Sequence, residues 1–120
     1  MKKPLVFLTP EAVGAMEWVP FPEGPEGMWE KVLSRDEETG SYTRLIKADP
    51  QLVISEKRVH DFWEESWILE GTFEEGGVTY GPGTFVCNPP GYEHGPYTSA
   101  TGWLALAELA APIMPTWRSC

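Results

Sequence analysis

The sequence predicts an all-β domain, a sandwich or barrel of short antiparallel strands. Its apolar runs are short, and most of its 12 glycines and 12 prolines lie between them. No segment keeps a 3.6-residue apolar period without a Gly or Pro, which disfavours a helical bundle. At 120 residues the chain has the usual size of one domain. We expect one domain over residues 1–120, with an N-terminal extension to about residue 27 and a core over about 40–110.

The first part of the chain predicts three strands and two irregular segments. The segment with three prolines can only be a loop or an edge strand, because proline cannot donate to a sheet ladder. A charged turn that ends in glycine separates the next two strands. In order, we predict a strand, a loop or edge, a strand, a turn and a strand at Lys3–Leu8, Val19–Gly27, Met28–Ser34, Arg35–Gly40 and Ser41–Lys47.

The second part predicts further strands after an Asp-Pro break. Glu75-Gly76-Gly77 lies between two short β-like runs and is typical of a hairpin turn. The last apolar run is rich in Ala and Leu, so it is either a strand or a short helix. The β-like segments are Leu52–His60, Glu64–Leu69, Thr72–Glu74, Val78–Tyr80, Thr84–Cys87 and Trp103–Leu109.

Composition excludes several classes of partner. The formal net charge is −9, and no basic cluster follows the first three residues, so we expect no nucleic-acid or membrane partner. No apolar stretch is long enough to span a bilayer, and the N-terminus does not resemble a signal peptide. Cys87 and Cys120 form neither a disulfide framework nor a CxxC zinc pattern. We therefore expect a cytoplasmic protein.

The two histidines of the chain, His60 and His94, lie in suggestive settings. Glu64 follows His60 by four positions, and alternate side chains of a strand share a face. One strand could therefore direct His60 and Glu64 inward together. Imidazole and carboxylate groups are good ligands for divalent first-row metals.

Two spacings resemble the motifs of a known family. Glu64 is followed by six residues and Gly71, and three residues separate His60 from Glu64. Gly83 is followed by five residues, a Pro-Pro-Gly turn, two residues and His94. These spacings resemble the two motifs of the cupin superfamily. The resemblance implies a double-stranded β-helix, or jelly roll, with a metal site at His60, Glu64 and His94.

The chain departs from the cupin pattern at three positions. Leu52 replaces the leading Gly of the first motif, Thr98 replaces the final Asn of the second, and Arg58 replaces the first histidine. Arginine stays protonated and has no lone pair for a metal. Two histidines and one carboxylate remain, a set that suits Fe(II) and also Zn, Mn or Ni, with positions left for substrate or O₂. We favour Fe(II).

Within the superfamily, the chain is similar to small cupins of the ChrR-like and acetylacetone dioxygenase-like group. This resemblance implies a mononuclear metal and a small chelating substrate such as a β-dicarbonyl or hydroxy-ketone. Arg58 would stabilise an enolate, so Arg58 and Glu64 are the expected catalytic residues, and dioxygenation is the favoured reaction. An isomerase or lyase is the next enzymatic alternative. A metal-binding sensor and a metal-free site with an Arg58–Glu64 ion pair are the non-catalytic ones.

Strand alternation and sequence proximity predict the pocket and a second surface. Residues that share the face of Glu64, or that adjoin the ligands in sequence, should line the pocket. These are Arg58, Phe62, Ser66, Ile68, Tyr92 and Tyr97. The opposite face of the same strand would carry Trp63, Trp67 and Leu69, which could pair two copies of the chain as a homodimer.

Overall fold

The computed structural model describes Lys2, residues 7–22 and residues 24–110, which contain one short helix and ten strands. Pro10 opens the helix and Thr9 caps it, since the Thr9 hydroxyl accepts from the Ala12 amide at 3.2 Å. The elements are α1 Pro10–Ala15, β1 Val19–Pro20, β2 Met28–Arg35, β3 Tyr42–Ala48, β4 Leu52–Ile54, β5 Trp63–Gly71, β6 Phe73–Glu75, β7 Val78–Tyr80, β8 Phe85–Asn88, β9 Tyr97–Ser99 and β10 Trp103–Ala110.

The strands form two antiparallel sheets. One has the order β1-β2-β3-β10-β5-β8, and the other has the order β4-β9-β6-β7. Alternate residues of the larger sheet are buried, as Ile46 on β3 and Ala107 on β10 illustrate. Leu52 and Ile54 of the smaller sheet join them in one core cluster, so the inner faces of the two sheets pack against each other.

Most of the predicted strands are present, and the all-β prediction is confirmed. The final apolar run forms β10, a strand, because its alternate residues Ala105, Ala107 and Leu109 are buried in the core. The prediction at Lys3–Leu8 falls mostly on residues 3–6, outside the described residues. Helix α1 and strand β9 were not predicted.

The expectation that one strand carries both His60 and Glu64 is wrong. Strand β4 ends at Ile54, and β5 begins only at Trp63, so His60 lies in the intervening loop. The loop leaves the sheet because its backbone bonds to the segment around His94 instead of a neighbouring strand.

Gly71, the last residue of β5, shows why the first motif ends in glycine. Its φ is 77°, a left-handed conformation that disfavours side chains. A Cβ here would lie 2.8 Å from the Trp103 Cα and closer still to the Gly102 carbonyl oxygen. Only glycine lets β5 and the start of β10 approach this closely. Within the described residues, no helix is long and apolar enough to cross a membrane.

Candidate metal centre

Backbone hydrogen bonds join the two loops that carry the histidines. The Arg58 amide donates to the His94 carbonyl at 2.7 Å, and the His94 amide donates to the Arg58 carbonyl at 2.9 Å. The Gly91 amide donates to the His60 carbonyl at 2.9 Å. The imidazole rings of His60 and His94 consequently lie with their centroids 5.1 Å apart.

The side chains of His60, Glu64 and His94 form a cluster of possible metal ligands. One ligand atom from each lies within 4.8 Å of the others. The His60 ring stacks on Phe62 at 4.4 Å, and its Nδ1 lies 2.9 Å from the Phe62 carbonyl oxygen. Because a carbonyl only accepts, Nδ1 carries the proton and Nε2 of neutral His60 keeps its lone pair.

The inward nitrogen atoms of both histidines lack hydrogen-bond partners. Nε2 of His60 and Nε2 of His94 are buried without one. Glu64 Oε1 lies 3.5 Å from His60 Nε2, which is an ionic contact but too long for a good hydrogen bond. Buried nitrogen atoms are normally satisfied, so this pair favours a site for a metal ion at these two atoms.

Arg44 on β3 holds the other oxygen of Glu64, a contact that the sequence did not predict. Its Nη2 lies 3.2 Å from Glu64 Oε2, and its Nη1 lies 3.3 Å from Glu30 Oε1. Arg44 is 4% exposed and Glu30 is 3% exposed. The guanidinium also lies over the Phe21 ring, 4.1 Å from its centroid. Glu64 is thus oriented, with Oε2 toward Arg44 and Oε1 toward His60.

The metal-free alternative placed Glu64 in an ion pair with Arg58, whereas the structure places Glu64 in an ion pair with Arg44. The Arg58 guanidinium donates to the Gly24 carbonyl at 3.2 Å. The sequence did contain an indication that Arg44 is buried. Arg44 and Ile46 are two positions apart on β3, so their side chains share a face, and the apolar Ile46 marks that face as the buried one. A buried guanidinium needs a carboxylate beside it, and the pairing of the strands brings Glu30 and Glu64 to that place.

The charges around the cluster shift the pKa values of its members. Burial disfavours ionised Glu64, but the contacts with His60 and Arg44 outweigh burial and lower its pKa. Burial opposes protonation of His60, but Glu64 outweighs it and raises the pKa of His60. Burial, followed by the charge of His60, lowers the pKa of His94. The lowered pKa values favour an ionised Glu64 and a neutral His94, the forms that bind a metal. The raised pKa of His60 favours its protonated form, so an ion would have to displace that proton.

The residues present fit a divalent first-row metal ion. Two imidazole nitrogen atoms and one carboxylate oxygen suit Fe(II), Zn, Mn or Ni. The buried Nε2 atoms without partners supply the observation that favours an ion over a simple polar core.

The cluster opens into a cavity of about 310 Å³ between the two sheets. Of the predicted pocket residues, all but one line it, together with His60, Glu64 and His94. Those that line it are Arg58, Phe62, Ser66, Ile68 and Tyr97. Tyr92 does not line this cavity and is 55% exposed, because the turn after Pro90 directs it outward.

A comparison of the sequence with known families shows the family of the chain. Residues 11–111 match the family described as the ChrR cupin-like domain. The chain belongs to this family. The match confirms the cupin resemblance and assigns the two sheets to a jelly roll of the cupin type. No curated protein matches the sequence.

Solved cupin structures resemble this one at low sequence identity. An acetylacetone dioxygenase from Acinetobacter johnsonii is 18% identical, with a TM-score of 0.67 over 98% of this chain and 82% of that one. An RmlC-like cupin from Shewanella frigidimarina is 19% identical, with a TM-score of 0.68 over 94% and 96%. The Rhodobacter sphaeroides complex of SigE with the anti-sigma ChrR is 17% identical, with a TM-score of 0.60 over 81% and 50%. At these identities the likeness shows the fold alone.

Proposed function

We propose that this cupin is a metal-dependent enzyme that acts on a small β-dicarbonyl or hydroxy-ketone, most specifically by dioxygenase-like carbon–carbon cleavage. The observation that carries the proposal is the convergence of His60, Glu64 and His94 inside a largely apolar cavity. Convergent polar groups in such a cavity are typical of a small-molecule site. The likeness to an acetylacetone dioxygenase supports the specific reaction.

His60, Glu64 and His94 would hold the ion, for which we favour Fe(II). When bound, the ion supplies Lewis acidity toward carbonyl oxygen and, if it is iron, redox chemistry with O₂. Three protein ligands leave room for a chelating substrate. Arg44 keeps Glu64 ionised and oriented, and Phe62 fixes the ring of His60 by stacking and by accepting from Nδ1.

Arg58 lies at the cavity wall, where its charge would favour the enolate form of a 1,3-dicarbonyl over the neutral form. In the proposed reaction, one carbon–carbon bond of the substrate breaks and both atoms of O₂ enter the products. A β-diketone then yields one carboxylic acid and one 1,2-dicarbonyl, with one O₂ consumed for each substrate.

Elemental analysis of tag-free protein beside His60→Ala and His94→Ala tests the ligand set. We expect about one equivalent of metal in the wild type and its loss in both variants. Glu65→Gln is the matched control, because Glu65 is the exposed neighbour of Glu64 on the opposite face of β5. Iron-loaded protein should then consume O₂ and acetylacetone in equal amounts. A wild type that takes up no metal after reconstitution would contradict the proposal.

A non-catalytic metal or ligand sensor is the second candidate function. The match to the ChrR cupin-like domain favours it, as does the likeness to an anti-sigma factor in complex with SigE. In this case the ion, such as zinc, would bind to the same three residues without turnover, and a protein partner would read the bound state. Stoichiometric metal and tight ligand binding without O₂ uptake or product would favour this function.

We also propose a homodimer, because the outer face of the larger sheet carries an apolar row. Leu106, Trp67 and Phe85 are register neighbours on β10, β5 and β8 and are 40%, 54% and 54% exposed. Trp63 was expected on this surface but is only 9% exposed, whereas Leu69 is 44% exposed. Sedimentation should show a dimer that Trp67→Lys dissociates, and a monomeric wild type would contradict this. A cytoplasmic location remains a prediction for cell fractionation.

A further inference from the structure

The cavity has an aromatic wall, formed by Phe73, Tyr97 and Trp103, that the proposed chemistry does not use. The Phe73 ring lies 5.8 Å from that of Trp103 and 6.3 Å from that of Tyr97. The rings of Tyr97 and Trp103 are 5.8 Å apart. All three side chains line the cavity. They form a continuous apolar surface along the cavity, and Tyr97 and Trp103 also pack against the core cluster.

Neighbouring contacts hold the aromatic wall in place. Tyr80 stacks on Phe73 with a centroid distance of 5.2 Å and an interplanar angle of 28°. Phe73 and Tyr97 lie on neighbouring strands of the smaller sheet, β6 and β9. Trp103 begins β10 of the larger sheet, opposite Gly71. Because both sheets contribute, the wall is part of the rigid framework and is formed before any ligand binds.

Trp103 of the aromatic wall and the ligand Glu64 lie at opposite ends of the paired strands β10 and β5. On β10, Leu109 pairs with Glu64, whereas Trp103 pairs with Gly71. Leu109 follows Trp103 by six positions on the strand, a span of about 20 Å along the backbone. Glu64 and Trp103 both line one cavity, so a ligand that contacts both must extend along the strands.

The volume of the cavity also favours a ligand larger than a five-carbon diketone. The cavity of about 310 Å³ holds the equivalent of about ten water molecules. Acetylacetone has seven non-hydrogen atoms, two of which would be its metal-binding oxygens. It would leave the aromatic wall facing water, whereas a substituent the size of a phenyl ring would cover it.

Charge determines the polar end of the ligand. A divalent ion, Glu64, Arg44 and Glu30 together carry one net positive charge in a buried setting. Arg58 and Glu75, which also line the cavity, balance each other. A monoanionic chelating group would therefore neutralise this end of the cavity.

We propose that the ligand of this site is a monoanionic 1,3-dicarbonyl enolate with an aryl or similarly bulky apolar arm that packs against Phe73, Tyr97 and Trp103. This inference rests on the proposed function for the metal end alone. The aromatic wall then determines specificity, because the enolate contacts would be shared by every diketone. Replacing a methyl by a phenyl arm buries further apolar area, so we expect binding to tighten about tenfold or more.

The test compares acetylacetone with 1-phenylbutane-1,3-dione. Dissociation constants are measured by calorimetry on anaerobic, metal-reconstituted protein, and KM and kcat are then measured by O₂ uptake. Trp103→Leu and Phe73→Leu should abolish most of the preference for the phenyl compound without loss of the bound metal. Trp67→Leu is the matched control, because Trp67 is exposed on the outer face of the sheet.

The outcomes separate the inference from the proposed function. Equal dissociation constants for the two diketones in the wild type, or a preference that persists in both Leu variants, would overturn the inference even if O₂ is consumed. A phenyl preference without O₂ uptake would support the inference and overturn the dioxygenase assignment. If metal-loaded protein binds neither compound, both are overturned. The wild-type comparison stands even if a variant fails to fold.

Discussion

Replacing Arg44 by methionine should destabilise the protein strongly, because one guanidinium compensates two buried carboxylates. At about 3.2–3.3 Å and an effective dielectric constant of about 20, each of its ion pairs is worth about 5 kcal/mol before desolvation. Burying the guanidinium offsets much of this gain. Breaking such a pair from one side typically costs about 3–5 kcal/mol, which we expect for Arg44→Met.

Urea denaturation in the presence of a chelator measures this loss in the metal-free protein. Arg35→Met is the matched control, since Arg35 lies over the Tyr42 ring at 4.9 Å but is exposed, and it should change the free energy of unfolding by less than about 1 kcal/mol. Glu30→Gln combined with Arg44→Met removes one uncompensated charge and should recover about 1–2 kcal/mol. The double variant also keeps the test open if the single variant does not fold.

Two results would refute this reasoning about Arg44. One is a loss below about 1 kcal/mol for Arg44→Met, which would mean that water reaches the carboxylates. The other is the absence of any recovery in the double variant, since the loss would then come from packing against Phe21 and not from charge.

Three further predictions concern His60, Gly71 and Arg58. The pKa of His60 is raised in the folded protein, so protonated His60 stabilises the metal-free fold. This contribution to the free energy of unfolding is fully present below the unfolded pKa of about 6.5 and is lost as the pH rises through the folded pKa. The stability difference between wild type and His60→Gln in chelator should therefore shrink with rising pH; a difference that grows contradicts the Glu64 contact. Gly71→Ala should lower the free energy of unfolding by about 2–4 kcal/mol in a thermal melt. Gly77 has the same φ of 77° but no close neighbour, so Gly77→Ala should lower it by about 1 kcal/mol. Equal losses in the two variants would exclude a clash at Gly71. Arg58→Gln should weaken diketone binding about tenfold in calorimetry without loss of metal; lost metal would instead indicate a structural role.

The sequence predicted most strands because their signals are local. Apolar runs and the turn residues between them depend on neighbours within a few positions, and so do the spacings around Glu64 and His94. The burial alternation of β5 also followed from the sequence, since Ser66 and Ile68 line the cavity and Trp67 is exposed on the other side.

The features that the sequence did not predict depend on pairing across the fold. Arg44 reaches Glu64 over 20 sequence positions, a contact that requires knowledge of strand order. The loop that holds His60 leaves the sheet through hydrogen bonds to the second motif, and no local pattern marks this. Tyr92 adjoins His94 in sequence, but the direction of a side chain in an irregular segment has no fixed period.

At position 58 the main chain holds the two loops together, whereas the side chain determines the chemistry. Main-chain groups alone make the two hydrogen bonds between Arg58 and His94, so any residue except proline at position 58 can keep them. A single substitution at position 58 could therefore replace a metal-binding histidine by an arginine without changing the geometry of the two loops. The reverse exchange, Arg58→His, would offer a third imidazole and a fourth possible ligand beside His60, Glu64 and His94. A substitution at position 58 can therefore alter the set of metal ligands while these backbone bonds persist, at the cost of the side-chain bond from Arg58 to the Gly24 carbonyl.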